Sequence, residues 1–304
     1  MNTETLTTMT YEVTGRIARI TFNRPEKGNA IIAATPVELA ACVERADLDP
    51  AVHVILVSGR GEGFCAGFDL GAYADRTSTA GGTDYHGTVL DGKTQAANHR
   101  PDLPWDPMLD YQMMSRFVRG FSALMRCDKP TVVKVQGYCV AGGTDIALHA
   151  DQLIVAADAK IGYPPMRVWG VPAAGLWAHR LGDQRAKRLL FTGDCLTGTQ
   201  AAEWGLAVEA PAADDLDERT ERLVQRIAAM PVNQLIMAKL ACNTALLQQG
   251  VATSQMVSTV FDGIARHTPE GHAFVADSLQ NGFREAVRHR DDPFGDAGRV
   301  ASHV

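Results

Sequence analysis

The segment Lys129 to Asp145, KPTVVKVQGYCVAGGTD, limits what this chain can fold into more than any other stretch. A Lys-Pro break precedes the run Thr131-Val132-Val133-Lys134-Val135, whose β-branched residues predict a buried strand. The small residues Gly137, Ala141, Gly142 and Gly143 follow, and Asp145 then opens an apolar helix with Ile146, Ala147 and Leu148. A strand that breaks on small residues and restarts as a helix leaves free backbone N–H groups at the helix N-terminus. Those groups and the helix dipole favour negative charge. A single carboxylate just beyond them completes the layout of a site that stabilises a developing oxyanion and moves a proton beside it.

Composition narrows the function classes. With 304 residues, 46% of them hydrophobic, the chain is long enough for one large core plus an appendage. A net charge of −6 argues against a nucleic-acid partner. The apolar runs are too short for a membrane span, and MNTETLTTMTYEV lacks the basic and apolar regions of a signal peptide, so a cytoplasmic location is expected. Cys42, Cys65, Cys127, Cys139, Cys195 and Cys242 are scattered without a CxxC pair, which reads as reduced, mostly buried thiols and no metal site. Cys65 and Cys139 lie inside site motifs but read as small apolar fillers rather than nucleophiles.

Along the chain, Tyr11 to Phe22 reads as a strand ending in a turn, Pro36 to Ala46 as a helix, and Val52 to Ser58 as a strand. Residues 71–107 accumulate Gly, Thr, Asp and Pro and read as a long loop whose end, Trp105-Asp106-Pro107, is packed. Tyr111 to Met125 reads as a helix, Leu153 to Ala157 as a strand, and Leu176 to Phe191 as mainly helical. From Leu216 onward the period is helical throughout. This rhythm implies α/β packing without choosing among α/β folds.

Five stretches make the choice. GFCAGFDL (Gly63 to Leu70) and GYCVAGGTD resemble the oxyanion motifs of the enoyl-CoA hydratase/isomerase (crotonase) family. ITFNRPEKGNAI (Ile20 to Ile31), TGDCLTGTQAAEWGLAVEA (Thr192 to Ala210) and, more loosely, PEGHAFVADSLQNGFREAVRHRDDPF (Pro269 to Phe294) resemble it in order and spacing. The resemblance implies an α/β spiral of ββα repeats over residues 1–215 and a C-terminal helical trimerisation region over residues 216–304. It further implies a homotrimer or dimer of trimers, and an acyl-CoA thioester as partner. Coenzyme A would enter as part of the substrate, with no separate cofactor.

By the same resemblance, the backbone N–H groups of Phe68 and Gly142 form the oxyanion hole. Asp145 falls where a hydratase of the family carries its first catalytic glutamate; a helix cap is its other reading. Asp69 reads as a structural residue of the loop. Lys27, with Gly28 and Asn29, and the backbone at Ala66 and Gly67 are expected near the CoA moiety. The family's second glutamate falls at or next to Pro165, and no Asp or Glu occurs between Lys160 and Gly182. Tyr163, Pro165, Arg167 and Trp169 are therefore the candidates for the substrate pocket. Arg167 has two readings: an ion pair, with Asp145 or Asp151, or recognition of an acidic acyl tail. His149 reads as a satisfied core histidine and His179 as a structural one.

The function this implies is enolate chemistry on a CoA thioester, hydratase-like but short of one carboxylate. Isomerisation, decarboxylation, thioester hydrolysis and non-catalytic acyl-CoA binding are the alternatives. A dehalogenase-type nucleophile would fall near Ala173 and is disfavoured.

Overall fold

The computed structural model describes residues 3–69 and 85–295. Its strands are β1 (Glu4–Thr5), β2 (Met9–Thr14), β3 (Ile17–Phe22), β4 (Val54–Gly59), β5 (Thr131–Val135), β6 (Tyr138–Val140), β7 (Gln152–Val155), β8 (Lys160–Gly162) and β9 (Cys195–Thr197). Its helices are α1 (Ala34–Leu48), α2 (Gly92–Asn98), α3 (Pro107–Phe121), α4 (Ala123–Arg126), α5 (Gly142–Ala147), α6 (Trp177–Leu181) and α7 (Asp183–Thr192). They continue with α8 (Gly198–Glu203), α9 (Leu216–Ala228), α10 (Val232–Gln248), α11 (Val251–Ala265), α12 (Pro269–Asn281) and α13 (Phe283–Asp291).

Six strands form one sheet in the order β1-β2-β3-β4-β5-β7, and β6-β8-β9 form a second, smaller one. Strands β3, β4, β5 and β7 run parallel. Val54 to Val57 and Thr131 to Val133 are buried on both faces, as parallel strands covered by helices must be. Val57 pairs with Val133, so β4 and β5 end side by side and release their following loops at the same edge of the sheet. This adjacency positions the site. The loops are stitched together by a bridge between Cys65 and Cys139 and by the bonds Phe64 N–H to Tyr138 C=O (2.8 Å) and Val140 N–H to Cys65 C=O (3.1 Å).

Three expectations are refined. Tyr11 to Phe22 is a hairpin rather than one strand, because Gly15 takes φ +60 and reverses the chain. The Leu176 to Phe191 stretch is two helices divided at Gly182, φ +75. Between Val135 and Gly142 the chain forms a further strand, β6, before the helix starts. The 71–107 segment holds α2 and, at its end, Trp105 stacked on His267 at 4.2 Å, with Asp106 capping α3; its residues 71–84 lie outside the described part. Residues 216–295 contain no strand, and no described helix is long and apolar enough to cross a membrane.

Candidate active site

Two backbone donors flank the seam between the loops. A parallel bridge between Ile31 and Phe68 uses the Gly67 C=O (2.8 Å) and the Asp69 N–H (2.9 Å), so the intervening Phe68 N–H is turned to the other side. Gly142 is the first residue of α5, where a helix leaves its N–H unpaired. The two loops touch: a Cβ added to Gly67 would lie 2.8 Å from the Ala141 Cβ and 3.3 Å from the Gly142 N. Gly142 is equally confined, since a Cβ there would sit 2.7 Å from the Phe68 ring and 2.9 Å from Ile31. Ahead of it Ala141 adopts φ +52 and ψ −129, a conformation that costs a non-glycine residue about 1–3 kcal/mol. Ala141 is held there by its N–H to the Gly162 C=O (3.0 Å) and by the Thr144 hydroxyl on its own C=O (2.7 Å).

The loop carrying Phe68 is braced from the N-terminal motif. Arg24 pairs with Asp69 at 2.8 Å and donates to the Ala30 C=O at 2.6 Å, so Asp69 is structural as expected. Asn29, at φ +54, accepts from the Arg24 N–H and donates to the C=O groups of Arg60 and Gly63. The Ala66 N–H donates to the Gly28 C=O at 3.0 Å. Lys27 and Ala66 are both exposed on this rim, which brings the residues expected near CoA together.

Asp145 lies in the first turn of α5 but caps nothing: Ala141 is the N-cap, and no side chain bonds the helix end. The cap reading is thereby corrected. The Asp145 carboxylate turns across to the loop after β8, where its Oδ1 accepts the Ala174 N–H at 3.0 Å. Its Oδ2 is buried without a hydrogen-bond partner. Burial pushes this carboxyl well above the ordinary range; the Ala174 N–H and the nearby Ala173 N–H oppose that and the charge of Asp262 adds to it. A raised carboxyl beside a strained helix start is a stronger base when ionised than an ordinary aspartate.

Tyr163 is the pocket candidate that lands beside Asp145. It is buried, donates to the Val171 C=O at 3.2 Å, and is pushed well above the usual tyrosine range by burial and by Asp145 and Asp262. Pro165 sits in the single turn Pro164–Arg167 and its C=O gathers the N–H groups of Val168, Trp169 and Gly170. Trp169 packs on Phe274 at 5.1 Å.

Arg167 is a structural ion pair, as one of its two readings had it, but with other partners than Asp145 or Asp151. It pairs with Asp291 (2.9 Å) and Asp194 (3.2 Å), donates to the Thr192 C=O (3.0 Å) and lies 4.0 Å over the Phe294 ring, with 2% of its side chain exposed. Asp145 and Asp151 are not its partners; the guanidinium instead joins the end of α7 and the turn before β9 to the last helix, α13. Sequence spacing hid this because both carboxylates come from distant segments. Arg167→Met should leave acyl preference unchanged and lower unfolding free energy by about 3 kcal/mol, the low end for breaking a buried pair, because Arg290 and Arg188 still meet the two carboxylates. Denaturant unfolding checks the stability and substrate competition checks the preference.

The remaining readings hold. His149 is a satisfied core histidine, its Nδ1 on the Asp145 C=O (2.6 Å) and its Nε2 facing the Gln255 amide (2.8 Å), and burial lowers it to about 4. His179 bonds Ser254 at 3.0 Å. Cys65 and Cys139 are buried, and burial pushes the Cys65 thiol up to about 12, which suits a filler and not a nucleophile.

Sequence reasoning missed one group altogether. Asp262 of α11 is buried and pairs with Arg266 one turn on at 2.5 Å; burial raises its carboxyl and the Arg266 guanidinium opposes that. Arg266 reaches Asp110 of α3 at 3.4 Å. Asp110 also accepts from Trp105 (2.8 Å) and meets His99 (3.2 Å) and His267 (3.0 Å). His99, Asp110 and His267 hold donor atoms within 4.8 Å of one another, but those atoms are spent on each other and a guanidinium beside them opposes a cation. The available signal was a lone Asp four residues before an Arg in an otherwise apolar stretch, VSTVFDGIAR.

Comparison with known proteins identifies the family. The family model for enoyl-CoA hydratase/isomerase matches residues 12–100 and 107–284. A crystal structure of an enoyl-CoA hydratase from Mycobacterium smegmatis is 81% identical, covers 99% of this chain and 98% of its own, and superposes with a TM-score of 0.92. A probable enoyl-CoA hydratase of Mycobacterium tuberculosis is 31% identical over 73% of this chain and 76% of its own. The 1,2-epoxyphenylacetyl-CoA isomerase of Escherichia coli is 27% identical over 75% and 79%. The fold is thus of the crotonase type, and the chain belongs to the enoyl-CoA hydratase/isomerase family of enzymes.

Proposed function

We propose that the chain binds an enoyl-CoA thioester with its carbonyl oxygen between the Phe68 and Gly142 N–H groups, and that Asp145 alone carries the proton of the resulting enolate. Moving a double bond between the α,β and β,γ positions requires one group that takes a proton from one carbon and returns it to another. Adding water requires both a base for water and an acid for the α-carbon. The observation that carries the reading is Asp145 itself, with one oxygen fixed by Ala174 and the other buried and unpartnered beside the N-terminus of α5. The loop of the family's second glutamate supplies only Pro165. The hydratase titles of the relatives favour hydration as the second reading.

Matched 2-enoyl- and 3-enoyl-CoA substrates separate them. Double-bond migration should exceed hydration of crotonyl-CoA; hydration as fast as in a two-carboxylate hydratase would sink the single-carrier reading. Binding of all thioesters without any turnover would instead identify an acyl-CoA-binding protein. Lys27 and the Ala66–Gly67 backbone are the proposed contacts to the CoA moiety. The exposed apolar faces of α10 and α11, with Met237, Leu240, Met256 and Phe261 each more than half exposed, support assembly as a homotrimer or a dimer of trimers.

A further inference from the structure

We propose that one turn of α11, from Gln255 to Thr259, is the positioning element for Asp145: Thr259 fixes the peptide that holds the carboxyl group, and Gln255 fixes the imidazole that holds the main chain. This rests on the reading of Asp145 as proton carrier.

The first connection runs through a single peptide group. The Ala174 N–H donates to Asp145 Oδ1 at 3.0 Å, and the C=O of that same peptide, belonging to Ala173, accepts the Thr259 hydroxyl at 3.2 Å. In a trans peptide the two groups point in opposite directions, so the unit is gripped at both ends, by α5 on one side and α11 on the other. A hydrogen bond to the carbonyl also polarises the amide and strengthens its N–H as a donor. The hydroxyl has one hydrogen and a second acceptor, the Gln255 C=O one turn back at 2.7 Å. The loop contact is the longer of the two, so loss of the hydroxyl loosens the peptide rather than freeing it.

The second connection runs to the backbone. Helix α5 ends at Ala147, and the His149 N–H goes to the Ile146 C=O at 3.1 Å rather than to the Asp145 C=O. The Asp145 carbonyl would thus lack its helical partner. The His149 ring takes that place, with Nδ1 at 2.6 Å. A carbonyl only accepts, so Nδ1 carries the hydrogen and Nε2 is left as an acceptor, which the Gln255 amide meets as donor at 2.8 Å. Burial holds this imidazole neutral, lowering it to about 4, as an acceptor Nε2 requires.

Gln255 and Thr259 stand four residues apart, on one face of α11, and both are buried. Each reaches Asp145 through one intermediary, so a shift of this turn would move the backbone and the carboxyl group of Asp145 together. The proton carrier is thereby referenced to the C-terminal helices as well as to its own loop.

The test compares Thr259→Val, which keeps the side-chain shape and removes the hydroxyl, with Thr259→Ser, which keeps it, and adds Gln255→Leu. Alanine-selective nitrogen-15 labelling of the full-length protein follows the Ala174 N–H, its signal assigned by its loss in Ala174→Gly. In Thr259→Val that proton should move upfield, the direction of a weaker hydrogen bond, and in Thr259→Ser it should stay near its wild-type position. In Thr259→Val and in Gln255→Leu kcat should fall by about tenfold with KM little changed, less than the ~10²-fold that a displacement of ~1 Å can cost. Both losses should vanish when the same changes are made in Asp145→Asn. An Ala174 signal unmoved in Thr259→Val, folded by circular dichroism, overturns the proposal. Losses of equal size in the wild-type and Asp145→Asn backgrounds also overturn it, because the turn would then support the fold and not Asp145. Full turnover by Asp145→Asn itself would instead defeat the reading of Asp145 as proton carrier, and the Ala174 shift would still decide whether Thr259 positions its carboxyl group.

Discussion

Asp145→Asn should lower turnover of every thioester substrate by a factor of about 10²–10⁴, the usual contribution of a positioned proton carrier. Affinity for a saturated acyl-CoA should stay close to wild type. The amide keeps the shape of the carboxyl and can still accept the Ala174 N–H through its oxygen, so the loop after β8 has no reason to move. The two backbone donors assigned to the thioester oxygen are separate from the side chain that is changed. Steady-state kinetics and calorimetry on one preparation check both halves. Collapse of binding in a folded variant would make Asp145 a scaffold of the site instead. The substitution also has a signature in stability. The Asp145 carboxyl is raised in the folded protein, so the native state holds a proton that the unfolded chain releases. Stability from this group is complete below the ordinary carboxylate range and is lost as pH rises toward the raised value. Asp145→Asn should remove that dependence.

Gly67→Ala should be the most damaging single-methyl change to the donors. Gly67 adopts φ +98, which an alanine takes only under strain, and its new Cβ would meet Ala141 Cβ at 2.8 Å and the Gly142 N and Val140 O at 3.3 Å. Relief of that contact must move the Phe68 and Gly142 loops apart. Loss of one aligned donor should reduce kcat by about 10²–10³. Gly15→Ala is the control: it imposes strain at φ +60 with nothing within 4 Å of the new Cβ. It should cost about 1 kcal/mol of stability and leave kcat alone. Wild-type kcat in folded Gly67→Ala would remove the two N–H groups from the mechanism.

Much of this was legible in the sequence, and the physical reason is local. The run Thr131–Val135 is a strand because β-branched side chains suit a doubly covered parallel position. The glycines after it mark where backbones meet at distances a Cβ forbids, as at Gly143, whose added Cβ would sit 2.5 Å from the Cys65 C=O. Those constraints travel with a few consecutive residues, so motifs reveal them. Strand β6 was hidden because Tyr138-Cys139-Val140 is too short for a period to register. Arg167 and Asp262 were hidden for a different reason. The partners of Arg167 lie at positions 194 and 291, and Asp262 belongs to a charge cluster that runs through Arg266 to Asp110, far earlier in the chain. A buried charge announces that it needs a partner, but only the fold says which one.

The central claim is that Asp145 moves a proton at the carbon next to a thioester whose oxygen is held by Phe68 and Gly142. The most direct measurement is exchange of the substrate's α-proton for deuterium in heavy water, followed by mass spectrometry on a saturated acyl-CoA that cannot be hydrated or isomerised. The wild-type protein should catalyse the exchange. Asp145→Asn and Gly67→Ala should each suppress it, the first while still binding the thioester. Exchange at the wild-type rate in Asp145→Asn would contradict the account.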